Sequence, residues 1–134
     1  MMLNLNQSNS LSFGYKSPLK DIVNLCAYTG KILPKSQRTL EHIKPHSKGG
    51  ASSLANYLVT DGPINWQRGS MRFDRWLKSM PEVAKNIQNY LNNLRGLKVS
   101  GTDYVEEVKK TLNREARGVV AFSGNKASRL DTRG

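Results

Sequence analysis

Acidic residues, cysteines and long apolar runs are all scarce in this chain of 134 residues. Its one cysteine, Cys26, excludes a disulfide framework and a Cys-rich zinc site. It also makes a reducing, cytoplasmic setting the default expectation. No stretch approaches the roughly 18 consecutive apolar residues that a membrane span requires, so no membrane partner is expected. Residues 1–15 are polar and rich in Asn and Ser, unlike the charged-then-apolar start of a secretory signal. Asp and Glu number 10 against 21 Lys and Arg, which leaves a net charge of +11. A small domain that basic is suited to a polyanionic partner, nucleic acid first among them. The bland alternative is a merely basic surface, as on a ribosomal protein.

Residues 1–16 carry too little apolar surface to order themselves and read as a tail. Ser17 before Pro18 suits a helix start, and a short helix over 18–25 is predicted. Thr39-Leu40-Glu41-His42-Ile43 alternates like a strand, with Leu40, and His42 if the alternation holds, facing one way. Pro45, Gly49 and Gly50 mark a loop, and Asn56-Tyr57-Leu58-Val59-Thr60 reads as a second strand. Asp61 and Pro63 open a helix. After Ser70 the periodicity is helical, first through Phe73, Trp76, Leu77 and Met80. Ser79 is the expected cap of the next stripe, Val83, Ala84, Ile87, Tyr90, Leu91 and Leu94, which Gly96 closes. Thr102 is the expected cap of the last, Tyr104, Val105, Val108, Leu112 and Ala116, which Gly118 closes. Trp76, Tyr90 and Tyr104 read as packing residues, whereas Trp66 stays open between core and surface. The expected class is α+β, with a core over 17–70, a helical extension over 71–117 and a basic tail over 118–134.

Both histidines, His42 and His46, lie four residues apart. On a helix that spacing makes a two-ligand metal face, but Pro45 and the glycines forbid a regular helix here. Glu41 directly precedes His42. Neighbours on a strand point to opposite faces and share a site only where the strand ends or distorts, which Pro45 and the loop provide. Asn56, Asn65 and Arg68-Gly69-Ser70 follow. A carboxylate beside a histidine, two asparagines and a basic Gly-Ser turn can supply a site for phosphodiester hydrolysis. Such a site needs a hard, oxygen-bound cation against the phosphate and a base to take a proton from water.

The run Glu41-His42-Ile43-Lys44-Pro45-His46-Ser47-Lys48-Gly49-Gly50, followed by Asn56-Tyr57-Leu58-Val59 and Asn65-Trp66-Gln67-Arg68-Gly69-Ser70, resembles the HNH endonuclease motif. The likeness spans residues 26–70. It implies a ββα-metal core: two antiparallel strands and a helix around one divalent metal, here flanked by a short N-terminal helix and a mainly helical C-terminal half. It implies a catalytic role for His42 as general base and for Asn56 in tying the loop and orienting that base. Glu41 and Asn65 correspond to the metal ligands. A carboxylate and an amide oxygen suit Mg²⁺ or Mn²⁺. Many relatives carry paired Cys-x-x-Cys zinc motifs. Here Thr29 stands where the second cysteine of the first pair falls, so no structural zinc is expected.

The implied substrate is DNA, double-stranded rather than single, cut to a 5′-phosphate and a 3′-hydroxyl, with a monomer nicking one strand. The small free-standing relatives that this chain is similar to come from phages and mobile elements, so a homodimer or a partner protein of that origin is the further expectation. Lys44, Lys48, Arg68 and Arg72 are read as phosphate contacts or, in the bland reading, as a solvated face. His46 either touches a phosphate or the metal's outer shell, or lies exposed. Lys109, Lys110, Arg114 and Arg117 form a second basic face on the last helix. The rival function is a catalytically idle HNH-like module that binds DNA or a protein; a third is a basic RNA-binding protein.

Overall fold

A computed structural model describes residues 17–123. The expected tail over 1–16, and the basic stretch from residue 124 onward, lie outside them. Helix and strand are mixed, as an α+β class requires. Among the described residues no helix is long and apolar enough to cross a membrane.

The first helix, α1 (Leu19–Ile22), is shorter than the sequence predicts. Val23 turns extended, and a bridge between Leu25 and Ile32 takes over. Across it the N–H groups of Cys26 and Leu33 find the carbonyls of Lys31 and Asn24. Strand β1 (Arg38–His42) then pairs antiparallel with β2 (Tyr57–Asp61), with Leu40 opposite Val59 and His42 opposite Tyr57. Helix α2 (Gly62–Arg68) follows β2 directly, with Pro63 in its first turn, where a missing N–H costs nothing. Helices α3 (Phe73–Ser79) and α4 (Pro81–Asn93) come next. A minimal hairpin of β3 (Lys98–Val99) and β4 (Thr102–Asp103), not anticipated from the sequence, leads into α5 (Tyr104–Ala116).

Three caps differ from expectation. Asp61 stands at the start of α2 but makes no side-chain cap bond there. Asp103 caps α5 by accepting from the Glu106 N–H, because Thr102 is already paired within β4. Ser79 Oγ bonds back to the Trp76 carbonyl at 3.1 Å, leaving Met80 at the start of α4. The stretch expected as a tail over 118–134 is packed at its described start. Phe122 is buried, and Asn113 pairs with both its N–H (2.7 Å) and its carbonyl (3.0 Å).

Strand β2 has only one strand neighbour, so the groups along its outer edge need other partners. Each finds one. The Asp61 N–H meets Cys26 Sγ at 3.4 Å, and the Val59 carbonyl accepts from the Ala27 N–H at 2.8 Å. The Val59 N–H donates to Tyr90 Oη at 3.0 Å, and Tyr104 Oη donates to the Tyr57 carbonyl at 2.6 Å. The two phenol oxygens are 2.8 Å apart. Tyr104 has spent its one proton on a carbonyl, so Tyr90 is the donor between them. A one-way chain runs from Val59 through both tyrosines to Tyr57, and it fastens α4 and α5 to the sheet. Burial pushes both phenols above their ordinary pKa, which keeps them protonated as the chain requires.

Replacing Tyr104 by Phe strands the Tyr57 carbonyl and the Tyr90 hydroxyl in the interior. The expected cost is about 1–3 kcal/mol. Urea unfolding should show a lower midpoint at an unchanged slope; an unchanged midpoint would contradict this account of the edge.

Candidate functional site

The segment from residue 43 to 56 is held by Asn56 at both ends of its side chain. Its Oδ1 accepts from the Lys44 N–H at 2.9 Å, and its Nδ2 donates to the carbonyls of Lys44 (3.1 Å) and Ala51 (2.8 Å). Its own carbonyl receives the Ile43 N–H at 2.9 Å. The loop closes so tightly that a Cβ on Gly50 would lie 1.8 Å from the Lys44 oxygen, so only glycine admits the approach. Asn56 is buried and outside the cavity described next, so it acts as a positioning residue.

At the end of β1 a cavity of about 540 Å³ opens between the strand, the 3-10 turn His46–Lys48 and α2. Glu41, His42, His46 and Asn65 all line it, with Trp66 and Ser70. Adjacent Glu41 and His42 therefore share one site at a strand end. Asn65 comes from α2, and its Nδ2 donates to Thr39 Oγ1 on β1 at 3.0 Å, which leaves its amide oxygen to offer. His42 packs edge-on against Tyr57 at 5.1 Å and His46 at 5.9 Å between ring centres. Its Nε2 sits 3.2 Å from Ser52 Oγ. With Nε2–H given to Ser52, the Nδ1 lone pair is left to take a proton. Partial burial, and the nearby His46 and Arg68, hold its pKa below the ordinary histidine value. At pH 7 the neutral imidazole is therefore favoured.

Glu41 is the buried member of β1, while Leu40 and His42 are half-buried. Its Oε2 receives Tyr28 Oη at 2.7 Å and Arg68 Nη1 at 3.0 Å. Burial raises the Glu41 pKa, and Arg68 and Tyr28 pull it back toward the charged form. Arg68 was expected at the phosphate, but its side chain is 0% exposed. Nη1 also donates to the His42 carbonyl and Nη2 to the Ile43 carbonyl, each at 2.7 Å, and Nε to the Met71 carbonyl at 2.9 Å. A buried cation must be spent on internal acceptors, so Arg68 builds the site from behind.

The other expected contacts lie outside the cavity lining. Lys48 is exposed on the 3-10 turn and Lys44 is half-buried. Arg72 is gripped by both oxygens of Asp74, at 3.0 and 2.8 Å, beside a neighbouring cavity that Arg75 and Lys78 also line. On α5, Lys109, Lys110 and Arg114 pair with Glu106, Glu107 and Glu115. Among the described residues no group of three or more His, Cys, Asp or Glu side chains is clustered to hold a metal. The Asn65 amide adds an oxygen donor to the Glu41 carboxylate in the cavity lining. Sequence reasoning missed Tyr28, Ser52 and Thr39, whose residue types carry no motif signal. Comparison with known protein families, curated proteins and solved structures yields no match for this chain.

Arg68→Met leaves the Glu41 carboxylate and three carbonyls uncompensated. A loss of about 3–5 kcal/mol is expected in chemical denaturation. Arg68→Lys should recover little, because one ammonium cannot span those acceptors. A loss below about 1 kcal/mol for the Met variant would refute this structural role.

Hydrogen bonds from Arg72 hold the Asp74 carboxyl below its ordinary pKa of 3.8. A depressed folded pKa means that the pair stabilises the fold above the unfolded value and loses that effect as pH falls through the folded one. Thermal melting of Asp74→Asn should thus lie below the wild type at pH 7, with the gap closing below pH 3.8. A gap constant with pH would rule the ion pair out as its cause.

Proposed function

We propose that this protein is a metal-dependent endonuclease of the HNH type that hydrolyses phosphodiester bonds in DNA. One observation carries the reading: two antiparallel strands and the helix that follows bring His42, Glu41 and Asn65 to one open cavity. That arrangement supports the ββα-metal reading. The net charge of +11, with Lys48 exposed on the turn that also carries His46 and Ser47 of the cavity lining, suits a phosphate backbone.

The donors fit a hard divalent cation: the amide oxygen of Asn65 and the carboxylate of Glu41 border the same space. Glu41 and Asn65 would hold Mg²⁺ or Mn²⁺, which when bound neutralises charge on the phosphate and on the leaving oxygen. His42 takes a proton from water through Nδ1 while Ser52 fixes Nε2. The water oxygen bonds to phosphorus, the P–O3′ bond breaks, and the products are a 5′-phosphate and a 3′-hydroxyl. Asn56 keeps the loop closed, and the loop keeps Ser52 against the histidine. One such site per chain nicks one strand.

A second reading has its own support. Glu41 Oε2 is already engaged by Arg68 and Tyr28, so the chain also suits an idle DNA-binding module of the same shape. Supercoiled plasmid in Mg²⁺ or Mn²⁺ separates the two. Relaxation by the wild type, slowed about 10²–10⁴-fold in His42→Ala, is the outcome expected of a general base. Tight, salt-sensitive binding with no nicking in either metal would select the idle module. Equal rates in both proteins would remove His42 from the chemistry.

A further inference from the structure

Trp66 is 87% exposed, whereas the other tryptophan, Trp76, is 1% exposed. An exposed indole presents a large, rigid aromatic face with a polar edge, the kind of group enriched where proteins meet a partner. Trp66 directly follows Asn65 on α2 and lines the same cavity as Glu41, His42 and His46. No other exposed large hydrophobic among the described residues (Ile22, Ile32 or Val119) lines that cavity, so this is a lone ring and not an apolar patch. Basic side chains flank it. Lys48 is exposed on the turn that carries His46, and past Ser70 the chain enters a second cavity of about 500 Å³ lined by Arg75, Lys78 and the Arg72–Asp74 ion pair. One bare aromatic face flanked by basic side chains is the composition that binds unpaired nucleic acid, with bases on the ring and phosphates on the charges.

We propose that Trp66 stacks on a base adjacent to the cleaved phosphate, so the preferred substrate is DNA with an unpaired nucleotide there: a single strand, a gap or a flap. The inference rests on the nuclease reading and revises the duplex preference that the sequence suggests. Bases inside an intact duplex have both faces covered by their neighbours. An exposed ring at the cavity edge therefore gains a contact only from a base that is out of the stack. Stacking of this kind tolerates any base, so the specificity is for DNA structure and not for sequence.

Tryptophan fluorescence tests this without turnover. In EDTA, a single-stranded oligonucleotide and a gapped duplex should quench the emission, because Trp76 is shielded in the core and the signal reports Trp66. A fully paired duplex of the same sequence should quench it weakly. Trp66→Ala should weaken single-strand binding about 5- to 150-fold and duplex binding less than about twofold, with Trp66→Phe retaining most of the affinity. Unfolding midpoints of both variants should match the wild type, since the ring packs on nothing in the core. In Mg²⁺ or Mn²⁺ the wild type should cut the gapped substrate faster than the duplex, and Trp66→Ala should lose that preference. Equal single-strand affinity in wild type and Trp66→Ala overturns the proposal, even if both nick plasmid and the nuclease reading stands. Quenching and Trp66-dependent binding without cleavage keep the stacking site and remove the nuclease. Emission indifferent to DNA but sensitive to protein concentration overturns the proposal and makes the ring a self-association contact.

Discussion

The buried guanidinium of Arg68 fixes the geometry on which the site depends. It is the last residue of α2, and it reaches the carboxylate of Glu41 and the carbonyls of His42 and Ile43 at the end of β1. The Met71 carbonyl and the face of Phe73, 5.7 Å from its carbon centre, complete its surroundings. Taking such a charge out of water costs several kcal/mol unless its donors are satisfied. The planar fork satisfies them only in one arrangement. The angle of α2 over β1 therefore has little freedom, and Asn65, one turn earlier on α2, is carried to its place beside His42. Tyr28 closes the cluster from the opposite side, delivered by the turn in which the Gly30 N–H bonds the Cys26 carbonyl.

The sheet that supports this cluster has just two strands, and a bare two-stranded hairpin is marginal in water. Its inner face is covered by α2 and its outer edge by side chains: the Cys26 thiol and the two tyrosines of α4 and α5. The C-terminal helices thus do more than pack against the core. They complete the hydrogen bonding of β2, which holds β1 and with it His42. The cavity depends on residues more than thirty positions downstream, although none of them borders it.

The pattern of helices and strands was legible because it follows hydrophobic periodicity, which held for α3, α4 and α5 and for the two main strands. The convergence of Glu41, His42 and Asn65 was legible from motif order. What escaped was decided by polar groups. In α2 the buried residue is an arginine while a tryptophan is left exposed, the reverse of a hydropathy reading, because the ion pair with Glu41 claims the inward position. Tyr90 and Tyr104 looked like packing residues since their rings sit on apolar stripes. Their hydroxyls act across long sequence separations, and no local pattern encodes that. Phe122 lies where glycine and a basic run suggest a loose end, yet Asn113 binds its backbone and the ring comes within 6.4 Å of Phe73.

The position of Glu41 also bears on how a nuclease of this design would work. Its carboxylate charge is opposed by Arg68 at 3.0 Å, and His42 and Asn65 are neutral donors. The inner face of the cavity thus carries no net charge with which to attract a doubly charged cation. On the nuclease reading the missing charge would come from the substrate: the phosphodiester anion would supply what Glu41 has given to Arg68, and cation and DNA would each improve the other's binding. The complete site would then exist only in the protein–DNA complex. Basic side chains around it would act by raising the local concentration of the anion on which the cation depends.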